Sequence, residues 1–557
     1  MTNSPNIVFI ICDDLAYGDL SCHGNPYCQT PAIDSLKDAG ASFGHYHSGP
    51  LCTPARSAIL TGRYPYRTRA FDTYLGRSMI DPDETTIAQL LQESGHATGL
   101  FGKWHLGDCY PMRPQDLGFE EVLMHGGGGL RQPANPNEGS YFNPELFQNG
   151  KLTRREGYCS DIFADETIDF IKRNRSKPFF AYLGFNAPHT PLEVHSSYLS
   201  KYTQQGLPDR LARLYGMVEN IDQNVGRILD TLEELKLTES TIVVFTSDHG
   251  PCGSTQDENG NIRYNAGLRG IKGTLYEGGI RVPCLVRWPR EIRPGTQIER
   301  LANSIDWLAT LTDATGAKAP TDRTIDGISL LPLLKDSEAE TPDRALCMQW
   351  HRGDNPVRFR NFAAFTEQYK LTRPHEDAPD ELYDLIADPQ ETSNLANQLP
   401  EIVDTLRARY EDWFADVSST REDNYAPPRI VVGHCKGDPT LLTWQDWRLY
   451  GETDSWSYDN PGYWEITFHQ KAPYELTIEI PNSHVGGELI IRCRDWECKT
   501  PLTQALLDGS FGQFASLAFT TPELDQGPAR FEAFVEFDGD RLGITRAYIR
   551  AATLQLS

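Results

Sequence analysis

Residues 50–62 read PLCTPARSAILTG, and the chain's organisation can be worked outward from this stretch. Pro54 suits a first helical turn and Arg56 follows it, so the spacing predicts a helix running from Cys52 toward Thr61 and Gly62. The unpaired backbone N–H groups of such a turn face whatever Cys52 holds, and they favour an anion. Upstream, NIVFIICDD (6–14) is a short apolar run closed by Asp13 and Asp14; downstream, IVVFTSDHG (242–250) is closed in the same way by Asp248 and His249. Open α/β sheets build their sites at the C-terminal ends of strands, and both pairs fall there. Neighbouring side chains on a strand point to opposite faces, so both members of a pair reach one ion only where the chain leaves the sheet. One such pair alone reads as solvated turn chemistry; two pairs at equivalent strand ends read as a site.

Residues 1–340 alternate short apolar strands with amphipathic helices, which predicts an α/β domain with a mainly parallel sheet sandwiched by helices. The strands are expected at 7–11, 97–101, 179–185, 242–246 and 282–288. Residues 208–236 place Leu214, Met217, Val218, Ile221, Val225, Ile228, Leu229 and Leu232 at helical spacing, a core-packing face with no chemistry. A Pro-, Asp- and Thr-rich passage (318–344) leads to a small α+β C-terminal subdomain, 341–418, with strands near 346–350, 362–366 and 369–372 and a helix from 400 to 414. After a second linker, 430–557 changes to strict alternation, as in Trp464, Ile466 and Phe468 or Phe531, Ala533, Val535 and Phe537, which predicts an all-β sandwich. Its Trp444, Trp447 and Trp456 suit core or interface positions better than a sugar-stacking platform.

At 557 residues the chain exceeds the roughly 250–300 residues at which one core stops growing, so two or three domains are expected. A formal charge of −25 argues against nucleic acid and against anionic membrane surfaces as partners. An anionic substrate is repelled at long range and must be drawn in by a compact cluster of cations. MTNSPNIVFIICDD opens with no basic segment and reads as a first core strand rather than a signal peptide, and no apolar run reaches membrane-spanning length. The twelve cysteines are irregularly spaced, which suits reduced thiols and a cytoplasmic location; Cys493 and Cys498 are the one pair that could bridge.

The pattern Cys52-x-Pro-x-Arg56, closed by Thr61 and Gly62, resembles the signature of the type I sulfatases of the alkaline phosphatase superfamily, in which the cysteine is converted to formylglycine. GHATGLFGKWHLG (95–107) resembles that family's second signature, with His96 where tyrosine is usual. NAPHTP (186–191), LRGIKGTLYEGGIRVP (268–283) and ELYDLIADPQETSNLA (381–396) resemble further stretches of it, so the likeness spans 5–415. The resemblance implies a sulfuric ester hydrolase acting on sulfate monoesters, and a formylglycine-generating enzyme as maturation partner. It implies that a hydrated aldehyde at Cys52 is the nucleophile: one hydroxyl attacks sulfur and the other, once deprotonated, expels sulfate by C–O cleavage, a release that a thiolate or alkoxide nucleophile lacks. It implies Ca²⁺, with Mg²⁺ as the alternative, held by Asp13, Asp14, matured Cys52, Asp248 and His249, the last where many members carry Asn. Arg56 and Lys103 then bind the hydrate and sulfate, and His105 accepts the proton that triggers release. Lys103 and His105 lie two residues apart, on one side of an extended chain. His189 or Lys272 neutralises or protonates the departing alkoxide, Arg269 and Arg281 being neighbours that compete with Lys272 for that assignment.

Two other readings stay open on the same residues: a phosphonate or phosphate ester hydrolase using the same formylglycine, and a catalytically inactive protein that binds a sulfated glycan. Substrate choice is expected to rest on the irregular stretch 107–160, including His125, the glycine run 126–129 and Arg131, and on Trp350, His351 and Arg352. A rim of Arg and His suits a carbohydrate sulfate, with a small aryl sulfate as the alternative.

Overall fold

The computed structural model describes residues 4–135, 139–253, 263–420, 426–450, 460–507 and 514–553. At its centre five parallel strands lie in the order Thr241–Ser247, Asn6–Cys12, Phe179–Gly184, Ala97–Gly102 and Glu121–Met124. Asn6–Cys12 is buried at every position, and its residues alternate between two cores: Ile7, Phe9 and Ile11 face one, Val8, Ile10 and Cys12 the other. That two-sided burial is why these strands read as continuous apolar runs. The first core is capped by helices Cys52–Thr61, Ile87–Glu93 and Asp306–Thr315, the second by Pro31–Asp38, Cys159–Asn174 and Asp209–Glu234.

Among the described residues the sheet extends to ten strands, and antiparallel pairings enter on both sides of the parallel centre. The expected strand at 282–288 forms as Cys284–Arg287 and runs antiparallel to Thr241–Ser247. A parallel pairing needs a crossover, usually a long helix. Between these two strands the only described helix is the four-residue Glu277–Ile280, so the chain re-enters the sheet from the end at which it left. On the opposite margin Glu145–Gln148 and Lys151–Arg154 form an antiparallel hairpin.

Strands Leu346–Gln349, Phe362–Phe365, Tyr369–Arg373 and Glu381–Asp384 form an antiparallel sheet, with helix Pro400–Val417 across one face. It is locked to the first domain by a fully buried ionic knot in which Lys370 Nζ bonds Glu277 (2.9 Å) and Glu391 (2.6 Å), and Glu277 also meets His47 (3.0 Å). Beyond it, two facing β-sheets make the sandwich. One is built around Gly462–Phe468, Gly527–Phe537 and Glu488–Cys493, the other around Tyr474–Pro481 and Arg546–Ala551. Trp447 and Trp464 are fully buried in its core, Trp444 packs against that core, and Trp456 lies outside the described residues. Cys493 and Cys498 are free thiols. The sandwich core is continuous with one face of the central sheet, and Cys109 Sγ meets Leu441 O at 3.0 Å across the junction.

Candidate active site

Helix Cys52–Thr61 is buried along its whole length and begins at Cys52, with Leu51 in extended conformation before it and Gly62 (φ 69°) ending it in the left-handed region. Cys52 Sγ lies 3.1 Å from His249 Nε2 and 3.5 Å from Asp13 Oδ1. Ligand-type atoms of Asp13, Cys52, Asp248 and His249 all fall within 4.8 Å of one another, as do those of Asp13, Asp14 and His189. The two aspartates of the first strand converge because Asp14, past the strand end, adopts φ 66°, a conformation that non-glycine residues occupy at a cost.

So many buried carboxylates need compensation. Arg56 Nη2 and Nε bond Asp248 Oδ2 at 2.9 and 3.1 Å, Lys272 Nζ bonds Asp14 Oδ1 at 2.8 Å, and Lys103 Nζ bonds Asp13 Oδ2. Burial pushes the Asp13 carboxyl up, but Lys103, His189, Lys272 and Arg56 together hold it well below its ordinary range. Burial and Asp13 likewise oppose ionisation of the Cys52 thiol, and Lys103, Lys272 and His249 pull it down to about 5. Asp248 Oδ1 has no hydrogen-bond partner, although it is buried. His249 Nδ1 sits 2.9 Å from Gly250 O; a carbonyl only accepts, so Nδ1 carries hydrogen and Nε2 faces the carboxylates. Burial pushes the imidazole down, yet Asp248 more than offsets it, to about 9. Positive charge is therefore favoured at this point. One orphaned, acceptor-only oxygen beside two further carboxylates is a donor set for a hard divalent cation.

The rest of the cluster supplies proton-transfer groups. His105 is expected on extended chain beside Lys103, but the strand stops at Gly102 and His105 has φ 58°. The two residues still meet at one site, through a left-handed turn rather than a strand. Burial, aided by Lys103, holds the His105 imidazole well below its usual value and so neutral. His189 Nδ1 is 2.7 Å from Thr190 O, which leaves Nε2 facing Asp14 Oδ2 at 3.8 Å. The side chains of His189 and Lys272 are 14% and 15% exposed, whereas those of Arg56, Lys103, Asp13 and Asp248 are 0% exposed. The site thus opens over His189 and Lys272. Of the cations competing in segment 268–283, Arg269 stacks on Tyr276 and Arg281 pairs with Glu277, so Lys272 alone of the three bonds an aspartate of the cluster.

The expected rim residues divide: Trp350, His351 and Arg352 line a groove that begins next to Lys272, each also bonded within the protein, whereas Arg131 and His125 do not line it. His351 is buried with both ring nitrogens committed to its own loop, Nδ1 to Arg352 O (2.7 Å) and Nε2 to Val357 N (2.9 Å), so it has no polar atom free for a substrate. Arg352 pairs with Asp72 and lies over the Tyr74 ring, and Trp350 Nε1 donates to Asp72 at 3.3 Å. Arg131 is spent on Glu193 at 2.6 Å. His125 is fully buried, bonded through Nδ1 to Gly126 O (3.0 Å), its pKa pushed down to about 3 by burial. The glycine run forms a wall rather than a rim. A Cβ on Gly128 falls 2.2 Å from His105 Cε1, and one on Gly129 falls 2.9 Å from His189 Cε1.

This close approach carries a direct prediction. Gly128→Ala forces the His105 ring away from its bond to Thr73 O, because a contact of 2.2 Å cannot be met otherwise. Turnover is expected to fall by about 10²-fold, the cost of a displacement of roughly 1 Å at a reacting group. Steady-state kinetics with a melting curve check it; a fully active Gly128→Ala enzyme contradicts the packing.

A family model for sulfatases matches residues 5–317, and a second, for the C-terminal part of N-sulphoglucosamine sulphohydrolase, matches residues 271–415. The chain belongs to the sulfatase family. The sulfatase is 33% identical over 454 residues to steryl-sulfatase of Mus musculus, covering 66% of this chain and 71% of that protein. It is 33% identical over 371 residues to N-acetylgalactosamine-6-sulfatase of Homo sapiens, covering 63% and 69%. Among solved structures, Ps i-CgsB in complex with k-i-k-neocarrahexaose superposes with a TM-score of 0.67 at 27% identity, over 75% of this chain and 94% of that one. The sulfatase is accordingly a sulfuric ester hydrolase of the type I, alkaline phosphatase superfamily kind. Both family models end by residue 415, before the β-sandwich begins.

Proposed function

We propose that this sulfatase removes sulfate from a carbohydrate, using formylglycine derived from Cys52 and a bound Ca²⁺. The observation that carries the reading is the placement of Cys52 at the start of a buried helix, its sulfur between Asp13 and His249 and held acidic by Lys103 and Lys272. Asp13, Asp14, Asp248 and His249 would hold the cation, whose chemistry there is that of a Lewis acid withdrawing charge from sulfate oxygens. Matured Cys52 supplies a hydrated aldehyde as nucleophile.

The remaining steps belong to the chain's own side chains. Lys103 and Lys272 hold the anionic sulfate; burial pushes the Asp248 carboxyl up, and Arg56, bonded to it, opposes that push and keeps it in place. His105, neutral and with Nδ1 free, takes the proton whose removal releases sulfate. Lys272 is opposed by burial, but Asp14 raises its pKa well above the ordinary value, so it neutralises charge without giving up its proton. His189, at the mouth, is then the group that protonates the departing alkoxide.

The carbohydrate reading rests on a groove of about 300 Å³ that begins at Gly273, one residue from Lys272, and is lined by Tyr276, Trp350, Arg352, Arg360 and His375. Arg352 is matched by Asp72, whereas Arg360 has no carboxylate partner among the described residues. An aromatic wall with an uncompensated guanidinium suits a polyhydroxylated, anionic ligand. The saccharide named in the Ps i-CgsB complex and the hexosamine sulfate named by the human relative support the same class. The eleven cysteines other than Cys52, all free thiols, go with residence in a reducing compartment, which localisation of the full chain in its host tests.

The experiment is a substrate panel run on metal-stripped, Ca²⁺-repleted and Mg²⁺-repleted enzyme matured in a host that makes formylglycine. Sulfated mono- and oligosaccharides are expected to be turned over best, with Ca²⁺ restoring the activity. Dominant turnover of aryl phosphonates or phosphates overturns the sulfate assignment, dominant turnover of steryl or aryl sulfates the carbohydrate one, and full activity in the stripped enzyme the metal.

A further inference from the structure

His105 Nε2 lies 3.0 Å from Thr73 O. Since a carbonyl only accepts, Nε2 carries the hydrogen, and Nδ1, buried and without a hydrogen-bond partner, keeps the lone pair. The same oxygen accepts a second hydrogen bond, from Gln445 Nε2 at 2.7 Å. Gln445 is 1% exposed and belongs to the β-sandwich, in the turn after strand Thr440–Thr443. The Gln445 backbone carbonyl accepts from Leu75 N at 3.0 Å, so residues 73–75 are tied to Gln445 twice. From the other side the small subdomain grips the same loop at Asp72 and Thr73: Arg352 bonds Asp72 and, at 3.3 Å, Thr73 Oγ1, while Trp350 bonds Asp72.

A carbonyl oxygen has two lone pairs, and here both are used, one by the appended domain and one by the catalytic imidazole. We propose that Gln445 is a positioning residue: it aims the Thr73 carbonyl at His105 Nε2 and so holds His105 in the tautomer whose Nδ1 is free to accept a proton. The β-sandwich, which neither family model covers, is by this reading part of the catalytic apparatus rather than a separate module. The inference rests on His105 acting as the base in the proposed function. Without the Gln445 amide the Thr73 carbonyl is held from one side only, and the His105 tautomer with hydrogen on Nδ1 gains population. Substrate binding depends on Lys103, Lys272 and the groove, so kcat bears the loss and KM does not.

The test is made on the full chain with Gln445→Met, of similar length but with no donor, and Gln445→Glu, of the same shape but facing an oxygen with an oxygen. Both are expected to lose about tenfold or more in kcat at unchanged KM. Spectra of ¹⁵N-histidine-labelled resting enzyme, with the His105 signal identified by its loss in His105→Gln, are expected to show the Nε2–H form alone in the wild type and a mixture in the Gln445 variants. A merely structural role would lower the melting temperature and leave the tautomer as it was. Unchanged kcat, or a loss of kcat with the tautomer intact, overturns the proposal. If neither variant folds, the wild-type spectrum still decides, because an Nδ1–H form there overturns it outright. Failure of the carbohydrate sulfatase reading shows elsewhere, in the substrate panel, while the resting tautomer is read without any substrate.

Discussion

Cys52→Ala is expected to fold and to lose sulfate ester turnover by on the order of 10⁴-fold or more, the scale on which removing a nucleophile disables an enzyme whose other groups act only with it. The sulfur touches Asp13 and His249 but buries little apolar surface of its own, so the helix it starts keeps its packing. Lys103 and Lys272 remain to bind sulfate, and substrate affinity is therefore expected to survive where chemistry does not. The matched measurement is peptide mass spectrometry across residues 50–56 of the wild type from a maturing host. There the side chain is expected to have lost sulfur and two hydrogens and gained one oxygen. A Cys52→Ala enzyme within tenfold of wild-type turnover contradicts the assignment of the nucleophile, and a native-host enzyme that is active with an unmodified thiol contradicts formylglycine.

Arg56→Met is expected to cost about 3–5 kcal/mol of folding free energy, because it removes one member of a buried pair and strands the other. Arg56 and Asp248 are both 0% exposed, and the guanidinium also donates to Lys103 O at 3.1 Å. Without it, the second oxygen of Asp248 joins the first in lacking a donor. Arg213→Ala is the internal comparison. Its i,i+4 pair with Asp209, at 2.7 Å, is 34% and 66% exposed. Solvent screens such a pair, and its loss is expected to cost less than about 0.5 kcal/mol. Denaturant unfolding of the two variants side by side measures both, and equal stabilities contradict the account of the site as a strained, charge-compensated cluster. Arg56→Met is also expected to lower turnover by about 10²-fold or more, since Asp248 then protonates or moves and a preorganised cation is gone.

Much of this was legible in one dimension. The strands at the sheet centre, the helix Asp209–Glu234 and the strand alternation of the sandwich follow from hydrophobic period, and period is set by which side of a strand or helix is kept from water. The acidic pairs were legible as well, because residues that end central strands of an α/β sheet meet at one edge whatever the details. Cys284–Arg287 was legible as a strand but not as an antiparallel one, since direction is decided by the path of the intervening loop. His351 lines the groove as its residue type suggested, but a backbone loop a few residues away took both of its nitrogens, so it offers a substrate no free polar atom.

The sequence by itself determined the α/β core, the positions of the carboxylates and cations, and the family, because local periodicity and residue chemistry need no knowledge of distant neighbours. Tertiary structure alone decided that Asp14 and His105 turn left-handed into the site, that Gly128 must be glycine, and that Gln445 meets Thr73 across 372 residues of chain. Each of these is a contact between segments whose meeting depends on how the whole chain packs, and close packing fixes such neighbours to fractions of an ångström while leaving no periodic trace in either segment.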